Sequence, residues 1–79
     1  MAPYDPQKLQ DLTLALLGAL CSPEGQVWKR HDFGVMDALH ERGLITNPRS
    51  RNESVWLTED GMAQAKMLAA HYLAREPPP

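Results

Sequence analysis

Few residues of this chain have the type and spacing that catalysis needs. His31 and Asp32 are adjacent, but a metal-dependent phosphohydrolase needs further His and Asp ligands that the sequence does not supply. Asp32 is better explained as a helix cap, and His31 as an exposed residue before it. Cys21, His40 and His71 lack metal-ligand spacing. We therefore predict a protein that is not an enzyme and binds no cofactor or metal.

Basic side chains offer a second chemistry, which is contact with nucleic-acid phosphates. Arg49 and Arg51 lie in a polar turn, and with Lys29, Arg30 and Arg42 they are candidates to grip a phosphate backbone. The alternative is that arginines at an exposed turn only keep it solvated. Eight Lys and Arg against ten Asp and Glu give a net charge of −2. This balance argues weakly against a protein that coats itself onto nucleic acid.

The chain length of 79 residues allows one domain. We expect that domain to cover residues 1–76, with a disordered proline tail at residues 77–79. The single cysteine rules out an internal disulfide, so oligomerisation is the remaining way to reinforce a small core. We expect no signal peptide before the first helix, and the apolar stretch at residues 14–21 is far shorter than the ~20 residues that span a membrane. We expect a cytoplasmic protein that does not contact a membrane.

The first helix is predicted to run from Pro6 to about Cys21, with Asp5 as its cap. Four leucines fall near one stripe: Leu9, Leu12, Leu16 and Leu20. Leu14 and Leu17 lie off that stripe, so the second half of the helix is apolar nearly all round and must be covered on two sides. Two explanations stay open. Either a homodimer packs this helix against its mate, with Leu14 and Leu17 in the interface, or the rest of the chain wraps a central helix.

A short strand is predicted at residues 26–30, followed by a second helix that begins after the cap Asp32 and ends near Arg42. Its buried stripe is predicted from the spacing of four residues: Phe33, Met36, Leu39 and His40. Gly43 ends the helix in the left-handed conformation that glycine adopts without strain.

The second half of the chain is predicted as strand, polar turn, strand and helix. Residues 53–57 are the clearest strand and should pair with residues 44–46 as a hairpin, with turn residues at 47–52 between them. Thr58 caps the last helix. The apolar face of that helix is predicted to contain Met62, Ala65, Ala69 and Tyr72, flanked by Leu68 and Leu73.

The run LHERGLI…SVWLTEDG resembles the wing region of small bacterial winged-helix regulators of the MarR and PadR type. In those proteins a helix ends in Gly followed by Leu-Ile, and the returning strand leads through Leu-Thr-x-x-Gly into another helix. The matching residues here are Leu39, Gly43, Leu44, Ile45, Leu57, Thr58 and Gly61. The resemblance implies an α+β, winged-helix-like fold with three main helices and a two- to three-stranded antiparallel sheet.

Nearly the whole chain is also similar to a small uncharacterised bacterial family of about this length. The shared residues are Trp28, Lys29, Asp32, Leu39, His40, Glu41, Gly43, Leu44, Ile45, Pro48, Ser54, Val55, Leu57, Thr58, Glu59 and Gly61. The chain departs from the family at Arg51, where Lys is expected, and at Gly34, where an aromatic residue is expected. The family has no known function, so this similarity supports the fold and implies no activity.

Specific DNA readout needs a recognition helix with basic or amide side chains. The second helix occupies that position, but Asp37 and Glu41 lie one turn apart on its predicted outer side and would repel phosphates. The chain between Cys21 and Asp32 is also too short for the extra helix of a helix-turn-helix.

Aromatic and sulfur side chains suggest an interaction module instead. Trp28 and Trp56 lie on strands that we expect to be neighbours, and they either pack on the core or serve as contact anchors, a common role of Trp in interfaces. Met67 lies off the apolar face of the last helix and is a further contact candidate. We predict a non-enzymatic module that forms a homodimer and binds an unidentified protein partner. The alternative is a small DNA-binding regulator that contacts phosphates through the wing.

Overall fold

The computed structural model describes residues 3–75, which form three helices and a two-stranded sheet. The elements in chain order are α1 (Pro6–Leu20), β1 (Gln26–Trp28), α2 (Phe33–Glu41), β2 (Ser54–Trp56) and α3 (Glu59–Tyr72). The predicted α+β class is confirmed. The predicted domain boundary at residue 76 and the disordered tail at residues 77–79 lie outside the described residues.

Each helix begins at the side-chain cap that the sequence predicts. Asp5 Oδ1 accepts a hydrogen bond from the amide two residues on at 2.8 Å, and Asp32 Oδ2 accepts from the Val35 amide at 3.0 Å. Thr58 Oγ1 accepts from the Gly61 amide at 3.0 Å. These contacts satisfy amides that the first turn of a helix otherwise leaves without a partner.

β1 and β2 pair in antiparallel orientation, with Val27 opposite Val55. Both valines are buried, and because side chains alternate along a strand, Trp28 and Trp56 share the opposite face of the sheet. The prediction that the two tryptophan strands are neighbours is confirmed.

The predicted hairpin is reduced to a single antiparallel bridge between Ile45 and Leu57. The Trp56 amide donates to Oγ1 of Thr46 at 3.0 Å rather than to a carbonyl, so the ladder ends there. Asn47 Oδ1 then accepts from the amide two residues on at 2.9 Å, a local turn that takes the chain away from β2. The sheet therefore has two strands, the lower number predicted.

The core draws on every helix, on both strands and on the segment after α2. Its residues are Leu14, Leu17, Val27, Val35, Met36, Leu39, Leu44, Ile45, Val55, Leu57 and Ala65. On α3, Met62 and Leu68 pack partly against this core, whereas Tyr72 and Leu73 are exposed. The predicted apolar face of α3 is thus buried only over its first three turns.

The assignment of Leu14 and Leu17 to a partner interface is wrong. Both are completely buried inside one protomer, because the side of α1 that carries them faces α2 and α3. The rest of the chain covers this side of α1, which agrees with the second explanation, that of a helix wrapped by its own chain. The leucine stripe on the other side faces solvent.

The predicted burial of Phe33 and His40 is also wrong, since both are exposed. The buried residues of α2 are Val35, Met36 and Leu39. Successive residues of an α-helix are about 100° apart around its axis. On this basis the buried face of α2 centres on Leu39, with Val35 and Met36 on either side. Phe33 and His40 lie next to each other around the axis, on the far side of Met36 from Leu39, where the helix faces solvent. The predicted stripe was out of phase by roughly one residue.

Candidate interaction surfaces

Arg30, one of the five predicted phosphate contacts, forms a bidentate pair with Glu53. Nε and Nη2 donate to the two carboxylate oxygens at 2.8 and 3.0 Å. The hydrogen bonds from Arg30 lower the pKa of Glu53, and the same bonds raise the pKa of Arg30. The pair is exposed, so its positive charge is neutralised at the surface rather than presented to a ligand.

Arg49, in the loop between α2 and β2, forms a second bidentate pair, with Asp37 on α2. Nη2 lies 2.6 Å from Oδ2 and Nε lies 3.2 Å from Oδ1. The arginine side chain is 70% exposed and the aspartate 33%. Asp37 is predicted to repel phosphates from α2, but in the structure its carboxylate pairs with Arg49 and neutralises the charge of that arginine.

The other three predicted phosphate contacts, Arg42, Lys29 and Arg51, differ in the partners of their side chains. Arg42 lies 3.5 Å from the carboxylate of Asp11 on α1, and Lys29 donates to the carbonyl of Ser50. Within residues 3–75, Arg51 takes part in no side-chain hydrogen bond or ion pair of this kind. The fold therefore does not bring the five cations together as one patch of uncompensated charge.

The outer face of the sheet carries both tryptophans. Trp28 is 56% exposed, whereas Trp56 is half-buried. The strand register places Ser54 opposite Trp28, so the two indoles are diagonal neighbours. The His31 ring meets Trp28 edge-on with centroids 6.3 Å apart. The two predicted roles are packing on the core and contact with a partner. The exposure of Trp28 fits a contact role, whereas half-buried Trp56 packs in part against its own protomer.

A row of leucines follows the face of α1 that points away from the core. The exposed fractions are 47% for Leu9, 45% for Leu12, 39% for Leu16 and 63% for Leu20. Scattered apolar residues on a surface need no explanation, but a contiguous row does. The 3-4-4 spacing is typical of a helix face that packs on another helix. We call these four residues the leucine row.

A shallow apolar hollow of about 220 Å³ lies at the N-terminal end of the leucine row. Its walls are formed by Tyr4, Asp5, Lys8, Leu9 and Leu12. The leucine row lies on one stripe of α1, as its spacing predicts, but the predicted interface residues of this helix are Leu14 and Leu17. The lack of charged residues in α1 after Asp11 indicates that two sides of the helix need a cover, but it does not distinguish the side with the leucine row from the side with Leu14 and Leu17.

Within the described part of the chain, no group of three or more His, Cys, Asp or Glu side chains is arranged to hold a metal ion. The Cys21 thiol donates to the carbonyl of Gly18 at 3.2 Å, and its sulfur lies 4.0 Å from that of Met62. None of the helices in residues 3–75 has the length and apolar character needed to cross a bilayer.

The fold and these surfaces define a small α+β domain with an exposed helix face. Residues 5–75 match the family model described as a domain of unknown function, DUF6429, and the chain belongs to that family. It is similar to the uncharacterized protein y4hR of Sinorhizobium fredii (strain NBRC 101917 / NGR234), with 37% identity over 71 residues that cover 90% of this chain and 96% of that protein. No solved structure matches the chain. The predicted membership of a small uncharacterised bacterial family is confirmed, while none of these comparisons supports the resemblance to MarR and PadR regulators.

Proposed function

We propose that this protein is a non-enzymatic interaction module that forms a homodimer through the leucine row of α1. The observation that carries the proposal is the exposure of four leucines at helical spacing on the side of α1 opposite the core. A second copy presents the same self-complementary apolar surface, as a two-fold interface requires. The proposed interface differs from the one predicted from the sequence. Leu14 and Leu17 are buried within the protomer, so the exposed leucines of the same helix take their place.

The exposed leucine surface sets the strength of the proposed dimer. The exposed fractions add up to about two whole leucine side chains in each protomer. Burying a leucine contributes about 1.5–3 kcal/mol, so two protomers gain roughly 6–12 kcal/mol, against an association cost of about 4–15 kcal/mol. We therefore expect a dimer in the micromolar range or weaker, whose population depends on protein concentration.

Sedimentation equilibrium over a wide concentration range tests this proposal. We expect the mass to rise from 8.9 kDa towards twice that value, and to stay monomeric in the double variant Leu12→Glu, Leu16→Glu. Both leucines are exposed, so the variant should keep its fold. Met67→Glu is the matched control, because Met67 lies on the side of α3 away from Ala65 and is also exposed. A folded wild-type monomer at every concentration would overturn the proposal, and loss of the dimer on Met67→Glu would move the interface to α3.

We also propose that the arrangement is winged-helix-like. Its support is that β1 lies beside β2, that Ile45 bridges Leu57 on the other edge of β2, and that a loop at residues 47–52, in which Pro48 is buried, joins the two sides. Residues 21–32 contain a turn and β1 but no helix. A winged-helix-like module of this form has no helix-turn-helix with which to read bases.

DNA binding through the loop is the second candidate function. The observation that favours it is the exposure of Arg49 and Arg51 in one loop. Exposed ion pairs contribute only about 0–1 kcal/mol, so phosphates can compete with Asp37 for Arg49. Binding to duplex DNA that weakens steeply with salt and is abolished by Arg49→Glu with Arg51→Glu would support this candidate. The absence of any mobility shift at low salt would end it.

A further protein partner and a cytoplasmic location are part of the same proposal. Trp28 is the anchor that such a partner would use, since it is exposed, flat and bordered by the ring of His31. Cross-linking through a photoreactive residue at Trp28 in the native host, compared with the same residue at Met67, tests this assignment. Equal products from the two positions would remove Trp28 as a specific contact.

A further inference from the structure

We propose that two copies pair through antiparallel α1 helices, with Leu20 of each protomer seated in the hollow of the other. This inference rests on the proposed self-association and adds its geometry. The hollow and Leu20 lie at opposite ends of the leucine row. From Leu9 to Leu20 the distance along the helix axis is about 16 Å.

The hollow has the form of a hole in helix–helix packing. Four of its lining residues, Asp5, Lys8, Leu9 and Leu12, stand at positions i, i+3, i+4 and i+7 of one helix face. A hole of four such residues receives one side chain from the facing helix. The hollow measures about 220 Å³, larger than a cavity of about 150 Å³ that accommodates benzene, so an isobutyl group fits.

Leu20 is the side chain that an antiparallel pair brings to this hole. A two-fold axis near residue 14 places Leu12 opposite Leu16 of the partner subunit. The same axis places Lys8 opposite Leu20 of the partner subunit, directly above the hollow. Leu20 is the most exposed member of the leucine row, as a projecting side chain should be. One symmetry operation therefore fills both hollows and buries the whole row.

The charges on α1 favour the antiparallel pair over the parallel one. The last turn of α1 has no basic residue, so its carbonyl end carries an uncompensated partial negative charge. An antiparallel pair brings Lys8 to the carbonyl end of the partner helix, where a cation is favourable. A parallel pair sets the two Lys8 side chains side by side and brings residues 8 and 9, rather than Leu20, to the partner's hollow. The two helix dipoles also oppose each other favourably only in the antiparallel case.

Paramagnetic NMR on a mixed dimer tests the direction of the helices. Protomers with a spin label on Gln7→Cys, in a Cys21→Ser background checked for native fold, are mixed with unlabelled ¹⁵N protomers. We expect broadening of amides at the C-terminal end of α1, around Leu20. Broadening around Lys8 would show parallel helices, and broadening confined to α3 would show another interface. Either result overturns this inference while leaving self-association intact, whereas a monomeric mass with no broadening refutes the proposed dimer itself.

A double-mutant cycle tests the contact between Leu20 and the hollow. Leu20→Ala and Leu9→Ala are each expected to raise the dimer Kd about tenfold, since each dimer loses two such contacts. The two positions are about 16 Å apart within one α1, too far to interact there. The double variant should therefore raise Kd by less than the product of the single effects. Leu73→Ala, at an exposed leucine near the end of α3, should leave Kd unchanged. Strict additivity of the two α1 substitutions would overturn the proposed seat of Leu20.

Discussion

Two glycines control how the segment after α2 meets α3, and each does so for a different physical reason. Gly43 has a φ of +75°, and nothing lies within 4 Å of where its Cβ would be. Gly61 has helical backbone in the first turn of α3, but a Cβ there would overlap the carbonyl oxygen of Leu44 and lie 2.9 Å from its carbonyl carbon. Strain at Gly43 comes from the backbone, while the obstacle at Gly61 is a neighbouring chain segment.

Substitution of Gly61 by Ala should therefore destabilise the fold more than the same change at Gly43. We expect Gly43→Ala to cost about 1–2 kcal/mol, the cost of a left-handed L residue. Gly61→Ala should cost about 3 kcal/mol or more, because the obstacle is backbone that cannot rotate away. Urea unfolding monitored by circular dichroism measures both. Equal losses would show that α3 can move off Leu44 without penalty.

The exposed pair of Arg30 and Glu53 should give one carboxylate an unusual titration. The hydrogen bonds from Arg30 lower the folded-state pKa of Glu53. A carboxylate with a lowered folded pKa stabilises the fold above its unfolded pKa, and this contribution is lost as pH falls through the folded pKa. NMR titration should place Glu53 below the usual range of glutamates. Arg30→Gln should return the Glu53 pKa towards its ordinary value and reduce the acid dependence of stability; an unchanged titration would contradict the pair in solution.

At the scale of elements, Thr58 connects the end of α2 with the start of α3. Its hydroxyl donates to the carbonyl of Gly43 at 2.7 Å, and its oxygen accepts from the amide of Gly61. Thr58→Ala removes both contacts and should cost about 1–2 kcal/mol. Thr58→Ser keeps the hydroxyl and should retain most of the stability. Chemical denaturation of the two variants checks this, and equal losses would show that the methyl group, not the hydroxyl, matters.

The starts of the three helices and the end of α2 were predictable from the sequence because they depend on local chemistry. Asp5, Asp32 and Thr58 each hold amides of their own helix, and Gly43 relieves its own backbone. Such contacts span a few residues and can be inferred from adjacent sequence positions.

The orientation of the helix faces was not predictable in the same way. α1 is apolar on two sides, so its sequence does not tell which side the rest of the chain covers. Burial fell on Leu14 and Leu17 rather than on the leucine row, because the hydrophobic surfaces of α2 and α3 meet there. The same uncertainty of phase misplaced Phe33 on α2. The ion pair of Arg49 with Asp37 joins residues 12 apart on different segments, and no local pattern announces it.

At the scale of the whole molecule, a small core is combined with an apolar helix face that the protomer does not cover. A chain of this length buries roughly 60–65% of its unfolded surface, so its stability is modest. Covering the leucine row with a second copy adds burial without lengthening the chain. Self-association and stability should therefore be linked in this protein.

Thermal unfolding should report that link. Because the dimer interface exists only in the folded state, raising the protein concentration a hundredfold should raise the Tm by on the order of 5 °C. The double variant Leu12→Glu, Leu16→Glu should unfold at a Tm that does not depend on concentration, since its protomer core is intact but cannot pair. Met67→Glu should follow the wild type. Differential scanning calorimetry at matched concentrations measures all three, and a wild-type Tm that stays constant across this range would mean that the core of one protomer is stable without a partner.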